Sequence, residues 1–555
     1  MKRRFLLFAG TLLFSACTSQ TPPQGSPMMH GGMQHGMTDG NQGMMGNQAQ
    51  TAGFLPGQGE DLSSLPEAKV SSVLDIGDGQ MTSLNPTLVH KTIGGKEIAM
   101  YGYNGQIPGP LLRVKQGSTF TVNVTNKIDL PTSIHWHGLR LDNANDGAVG
   151  VTQNAIEPGE SFAYAVKVPD EGLYWYHTHV REDVQQPMGL YGAILVTPEK
   201  TVTHGWEDRD EVIILNDLLL DENKMPVPYG RENADHTLMG RFGNTFLVNG
   251  AEPRPVEVGL GSIVRFSFLN ASNTRPYRIV QPDGSLLKII GADNGRYEQE
   301  YMTDSYTLAP SERLIAEVYF WDDAVNRGAP ERTVTLVESG PPSHPTPVVT
   351  ATIIGGVIGI DDLPEFQVLR ENEDVREDID TFRPFFDKPI DHTLLLDMGM
   401  MSSTGSPQVG GMGGGGMMMG GVPPDGIEWE DSAMNAMPMG NMMQWKLVDE
   451  ATGAANDKLV YTAKVGDKMK IRIVNKANSP HPMQHPIHFH GQRFLVLSDN
   501  GVETENFVWK DTTLVRAGHT VDILLDISNP GDWMFHCHIA EHLSNGMMGM
   551  LKVRE

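Results

Sequence analysis

Gln116-Gly-Ser-Thr-Phe-Thr-Val-Asn-Val-Thr-Asn126 decides the fold. A glycine turn leads into a run whose apolar side chains fall on alternate positions, as on a half-buried strand, and an asparagine closes it. The same arrangement recurs at Gly261-Ser-Ile-Val-Arg-Phe-Ser-Phe-Leu-Asn270 and at Val465-Gly-Asp-Lys-Met-Lys-Ile-Arg-Ile-Val-Asn475. Around each copy lie further alternating runs, such as Ser161-Phe-Ala-Tyr-Ala-Val-Lys-Val168, Arg313-Leu-Ile-Ala-Glu-Val-Tyr-Phe320 and Thr520-Val-Asp-Ile-Leu-Leu-Asp526. Three copies of one strand signature predict an all-β chain of three consecutive, similar β-sandwiches.

Composition agrees. Of 555 residues, 61 are glycine and 36 proline, which favours many turns and therefore strands. A net charge of −26 argues against general nucleic-acid binding. Two cysteines exclude a disulfide scaffold. Residues 1–17 read as an export signal: Lys2, Arg3 and Arg4, then the apolar Phe5 to Phe14, then Ser15-Ala16-Cys17. Small residues before a cysteine resemble a bacterial lipoprotein processing site, with Cys17 as the lipidated N-terminus. Phe14 stands where that site usually has leucine. The double arginine lacks twin-arginine spacing. Localisation is therefore expected in the periplasm or cell envelope, with membrane anchoring through Cys17. Residues 18–64, rich in Met, Gly and Gln, read as a flexible linker. The expected domains are 65–203, 204–384 and 385–555. The third is interrupted at 398–443 by a Met/Gly-rich segment read as a mobile insertion loop.

The chemistry sits in four short motifs, two near each end of the folded part. They are His135-Trp136-His137-Gly138, His177-Thr178-His179, His485-Pro486-Ile487-His488-Phe489-His490-Gly491 and His536-Cys537-His538-Ile539-Ala540-Glu541-His542, followed by Met547. Residues i and i+2 of a strand share a face, so each His-x-His pair presents two imidazoles side by side. His135, His137, His177, His179, His488, His490, His536 and His538 make eight, too many for one ion and suited to two or three. Imidazole favours copper, zinc, iron or nickel. Cys537, between two of these histidines, faces the other way. With His485, His542 and Met547 it forms the blue-copper ligand set, two His, one Cys and a distant Met. Zinc would not need that set. One peptide bond on each side of Cys537 joins the two sites into a short electron path.

At these residues the chain resembles the multicopper oxidases, the family of laccases, ceruloplasmin and bacterial cuprous oxidases, over about 65–555. The resemblance implies three cupredoxin-like Greek-key domains and four copper ions, one type 1, one type 2 and two type 3. The trinuclear centre would lie between the first and third domains. By motif position, type 1 copper takes His485, Cys537, His542 and axial Met547. Type 2 takes His135 and His488. The type 3 pair takes His137, His177, His179, His490, His536 and His538. The activity implied is four one-electron oxidations coupled to reduction of O2 to two waters, with Cys537, His536 and His538 carrying electrons. Asp146 stands where bacterial cuprous oxidases carry an aspartate near type 2 copper, and is the candidate proton donor. Those enzymes carry a glutamate directly after the last type 1 histidine. Here it is Leu543, which puts the second proton route in doubt, with Glu541 nearby.

Methionine speaks to the substrate. Six of 31 lie between Met28 and Met45 and twelve between Met398 and Met443. Thioether is a soft ligand that selects Cu(I), and a segment without a core gives methionine no packing reason to be there. A Met-rich insert in the third domain resembles the periplasmic copper efflux oxidases. The candidate substrate-copper residues are Asp397, Met398, Met400, Met401, His481 and Met483; His481 stands where that group has aspartate. Cu(I) is the expected substrate, Fe(II) a variant of it, and a monomer the expected state. The alternatives are a laccase-like oxidase of phenols and aromatic amines, which needs an open pocket over His485 or His542, and an envelope copper-sequestering protein.

Overall fold

A computed structural model describes residues 53–198, 209–281, 286–355, 363–400, 421–430, 435 and 443–555. The export signal, Cys17 and most of the N-terminal linker lie outside these. The sheets draw their strands from three successive stretches of chain. The first holds a five-stranded sheet ordered Val73–Ile76, Leu111–Lys115, Tyr191–Thr197, Gly172–His177 and His135–His137, a three-stranded sheet and a hairpin. The second, from Arg209 to Ile354, and the third, from His392 to Arg554, each pair a six-stranded with a five-stranded sheet. Among the described residues, no sheet takes strands from two stretches. Each stretch encloses an apolar core of its own. This is the expected all-β architecture of three consecutive cupredoxin-like domains.

The repeated signature is a repeated structural part. Thr119–Thr125, Ile263–Asn270 and Lys468–Asn475 each pair in parallel with one neighbour and antiparallel with the other. The closing asparagine does the same work each time. The Asn126 side-chain amide donates to the carbonyls of Leu130 and Ile156, Asn270 to Arg275 and Leu308, Asn475 to Met483 and Val515, at 2.7–3.0 Å. Each buried asparagine thus satisfies one carbonyl of the loop that follows its strand and one that lies 30, 38 or 40 residues further along the chain. The first and third copies alternate in burial as expected. The second is covered on nearly its whole length, because its outer face is also packed, Leu269 against Leu173 and Trp175 of the first domain and Ile263 against Phe366.

Two boundaries need correction. Residues 53–64 of the expected linker pack on the body: Phe54 is buried, and its backbone exchanges hydrogen bonds with Tyr229 at 2.8 and 2.9 Å. The insert is not wholly a loop either. Met398 to Met400 complete the strand His392–Met400, which pairs with Met443–Asp449 so that Met400 lies opposite Met443. Met398 and Met443 are core residues. Residues 421–430 are tied to the third domain through Gln484 on Glu428 and Arg516 on Asp425. Residues 401–420 lie outside the described set, Met401 among them.

Candidate metal centre

Strand pairing assembles the histidines. His135–His137 runs antiparallel to Gly172–His177 with His135 opposite His177. His485–Phe489 runs antiparallel to Gly531–Cys537 with His488 opposite His536. The two pairs of strands, from the first and third domains, face each other. All eight imidazoles meet between them. Ring centroids lie 4.0 Å apart for His135 and His490, 3.7 Å for His137 and His488, 5.1 Å for His177 and His538, and 5.6 Å for His179 and His536. Seven are buried, and the His179 side chain is 6% exposed.

Burial sets their protonation. Desolvation, with neighbouring rings adding to it, holds His137, His177, His490, His536 and His538 well below the usual imidazole range and brings His179 to about 3. These rings are neutral, the form that binds metal. The backbone chooses the tautomer. Nδ1–H of His135, His177, His488 and His536 donates to the carbonyls of Asp146, Thr178, Asp511 and Cys537 at 2.7–2.9 Å. That leaves Nε2 as the lone pair, and Nε2 of His135, His177 and His488 is buried with no hydrogen-bond partner. His137 is reversed. Its Nε2–H donates to Asp511 at 3.0 Å, and its Nδ1 is the orphan. Nε2 of His490 and of His536 stand 3.0 Å apart, the spacing of two ligands on one ion.

Behind the cluster, the Cys537 Sγ lies 3.5 Å from Nδ1 of His485 and 3.7 Å from Nδ1 of His542, which are 3.3 Å from each other. Met547 is fully buried beside them; its carbonyl accepts from the Cys537 N–H and its N–H donates to the His542 carbonyl. Three ligand atoms thus converge on one point. A soft thiolate with two imidazoles suits copper, and orphaned buried nitrogens of the cluster suit an ion that imidazole prefers.

Two sequence profiles, each described as multicopper oxidase, match residues 87–201 and 427–555, the stretches that carry the four motifs. The chain belongs to the multicopper oxidase family. It is an oxidoreductase, and the family's cofactor is copper. This multicopper oxidase is 26% identical to the copper resistance protein A of Escherichia coli, over 85% of this chain and 93% of that one. It is 24% identical to laccase-2 of Cryptococcus neoformans, over 87% and 85%. Among solved structures, a multicopper oxidase from Campylobacter jejuni, described as a metallo-oxidase, superposes with a TM-score of 0.65 at 22% identity, over 91% of this chain and 99% of that one. That last likeness is one of fold.

Asp146 touches the cluster in three ways. Its carbonyl holds His135, its Oδ2 takes the Nδ1–H of His490 at 2.9 Å, and its Oδ1 lies 3.4 Å from His135 Nδ1. Against the burial that would raise it, those two rings hold its carboxyl well below the usual range. Gly147 makes the turn possible: at φ +84° its missing Cβ would sit on the Ile134 carbonyl. Of the six substrate-copper candidates, Met398 and Met483 share the third-domain core with Trp445 and Cys537, and His481 is buried nearby. Asp397 is not brought to them. Strand alternation turns it outward to an ion pair with Lys476 at 2.8 Å.

Four residues escaped sequence reasoning. Trp445, buried, packs its indole 4.7 Å from His485, 4.5 Å from His542 and 6.4 Å from His481. Glu182 lies 3.2 Å from His179 Nδ1, and its signal is the Arg181-Glu182-Asp183 run three residues on. Arg313 opens the strand Arg313–Tyr319 and Asp511 immediately precedes Thr512–Val515, and neither belongs to a motif that would announce it. Glu541 faces Asn273 and Thr274 of the second domain rather than solvent.

Proposed function

We propose that this multicopper oxidase oxidises Cu(I), with His485, Cys537, His542 and axial Met547 as type 1 ligands, His135 and His488 as type 2 ligands, and His137, His177, His179, His490, His536 and His538 as type 3 ligands. Four coppers so held would take four electrons singly at the type 1 site and reduce O2 to two waters at the cluster. The observation that carries the reading is the paired geometry: eight ring nitrogens converge between two domains, and Cys537 backs directly onto two of those rings. Asp146 orients His490 and, ionised at rest, would supply protons on that side as a relay that takes one up before passing it on. Delivery of this activity to the cell envelope rests on the export signal.

The substrate side rests on what covers type 1 copper. His485 and His542 are 1% and 0% exposed, under Trp445 and the loop Thr237–Phe242. No ring edge is open to a bulky donor. On the far side of Trp445, His481 lines a cavity of about 680 Å³ with Glu428 and Trp429, and Glu428 Oε2 lies 3.4 Å from His481 Nε2. That cavity would lead a small cation to His481, and Met483 and Met398 belong to the third-domain core beneath Trp445. Imidazole, carboxylate and thioether together suit copper better than a hard ion. One feature favours a second reading, oxidation of phenols: Trp429 and the prolines of the same cavity offer flat apolar walls.

Oxygen consumption by the copper-loaded protein separates them. Stabilised Cu(I) and a simple phenol are compared, with and without residues 401–420. Fast Cu(I) turnover that falls on deletion supports the cuprous oxidase. Faster phenol turnover, with Cu(I) turnover indifferent to the deletion, overturns it. Tight copper binding with no turnover of either would leave a sequestering protein.

A further inference from the structure

Arg313 belongs to the second domain, which supplies no metal ligand, yet its side chain is fully buried behind the histidine cluster. We infer that Arg313 is a positioning residue for the cluster: through Asp511 it fixes which nitrogen His137 turns toward the metal. The inference rests on the ligand assignment proposed above.

The chain of contacts is continuous. Arg313 Nε–H donates to the Leu173 carbonyl at 2.8 Å, four residues before His177 on the same strand. Its Nη1 donates to the Ser311 carbonyl at 2.9 Å and to Asp511 Oδ1 at 2.8 Å, and its Nη2 donates to Asp511 Oδ2. This is a two-pronged grip that fixes the plane of the carboxylate as well as neutralising it. Asp511 then does two things. Its Oδ1 accepts Nε2–H of His137, and its main-chain carbonyl accepts Nδ1–H of His488. Three domains therefore meet in one network, with Arg313 at its centre.

His137 needs such a device, as does His490, whose Nδ1–H Asp146 Oδ2 holds at 2.9 Å. His135, His177, His488 and His536 have their tautomer chosen by backbone carbonyls, which cannot turn away. His137 has it chosen by a side chain, which can rotate unless held. Thr512 Oγ1 donates to the same Oδ1 at 2.8 Å and lies 3.1 Å from His137 Nε2, so it offers the ring a competing partner if the carboxylate swings. Gly138 is shaped around the pair. At φ +84°, a Cβ there would stand 2.4 Å from Asp511 Oδ2 and 2.9 Å from Arg313 Nη2. The glycine that follows the first His-x-His pair is thus explained by the Arg313–Asp511 pair lying against its backbone.

Arg313→Lys keeps the charge and loses the fork, and it is tested in the full chain in two ways. In the metal-free, histidine-labelled protein, 15N NMR reads the ring tautomers; His137 is expected to be protonated at Nε2 in the wild type and mixed in the variant. In the copper-loaded protein, chelator competition is expected to show cluster copper held ten- to a hundredfold more weakly, with the blue type 1 absorption and the melting temperature retained. Wild-type tautomer and wild-type cluster affinity in the variant would overturn the inference. So would equal loss of type 1 and cluster copper with a lowered melting temperature, which would make Arg313 a structural bolt. Should the lysine variant not fold, Asp511→Asn reads the same link from its other end, with the same expected and overturning outcomes. A wild-type chain that binds no cluster copper would sink the ligand assignment, while the tautomer measurement would still decide the role of Arg313.

Discussion

Filling the Cys537 site should release one proton per metal ion, and its affinity should rise tenfold per pH unit. The thiol is fully buried, and burial pushes its pKa well above the ordinary thiol range, with the Ile539 backbone N–H offsetting only part. The metal-free protein therefore holds Cys537 protonated at neutral pH. The two opposing rings hold no proton to lose. Burial, with His481 adding to it, brings His485 to about 3, and burial with His485 holds His542 lower than usual. The metal must displace the thiol proton, so binding is weakest in acid and strengthens as pH rises toward the thiol's own pKa. The slope is one decade, or about 1.4 kcal/mol, per pH unit. Proton release is measured on Cu(I) loading at low buffer strength across about pH 6 to 8, where a free thiol is largely unionised. Cys537→Ser is the reference, so that protons shed at the cluster cancel in the difference. Glu541, which burial and Asp183 raise to about 8, titrates in the same window, and the count is therefore taken in Glu541→Gln. The expected difference is one proton, and Cys537→Ser should also lack the blue absorption. A difference of zero would mean that the thiolate is preformed or that Cys537 is no ligand. A difference of two would mean that a ring is protonated, against its burial.

Other outcomes follow from the same geometry. Met547→Leu should raise the type 1 reduction potential, because a weak axial donor is lost; an unchanged value in a potentiometric titration would remove Met547 from the ligand set. Asp146→Asn should lower the melting temperature of the metal-free protein at neutral pH. A carboxyl held below its unfolded pKa stabilises in full above about pH 4, and the difference from wild type should shrink steadily as pH falls below that toward the lower folded-state pKa. Trp445→Phe loses the 2.7 Å bond from its indole N–H to the Thr237 carbonyl, worth about 1 kcal/mol in chemical denaturation. It should slow Cu(I) turnover several-fold with the blue absorption intact. Mass spectrometry of protein from an envelope fraction should find a mature chain beginning at Cys17 with added acyl mass; an unmodified start elsewhere would refute lipidation.

What the sequence made legible was whatever repeats at the period of a strand. The three signatures ending in Asn126, Asn270 and Asn475 pointed to a threefold β architecture, and His-x-His spacing pointed to the eight rings that the structure gathers between the first and third domains. Legibility failed where the signal was a single residue. Arg313 and Asp511 are 198 positions apart, and His137 and Asp511 are 374 apart. Nothing local marks either charge as buried. It failed too where composition masked periodicity. The strand Met443–Asp449 alternates buried and half-buried residues throughout, but its first residue closes a Met/Gly run whose composition hides the start of the strand. Asp397 stands apart from the buried thioethers for a related reason. It sits beside Met398, and one step along a strand puts it on the opposite face.

The cluster belongs to no single domain. The first domain brings four rings, the third brings four, and the second brings Arg313, which grips Asp511 of the third while leaning on Leu173 of the first. Each His-x-His pair is carried by one strand, or by a strand and the residues just past its end, within a single domain, so the free variable is the placement of one domain against another. Copper bridging the two sets would favour the assembled arrangement by its binding free energy, since ligand that binds only the folded state stabilises it. The reverse also holds, because linkage is reciprocal. Anything that loosens the Arg313–Asp511 grip should loosen cluster copper before it touches type 1 copper, whose three converging ligands, His485, Cys537 and His542, all come from the third domain. The order in which the two sites lose metal is therefore a property of how the domains are joined, and the buried ion pair is where they are joined most tightly around the metal.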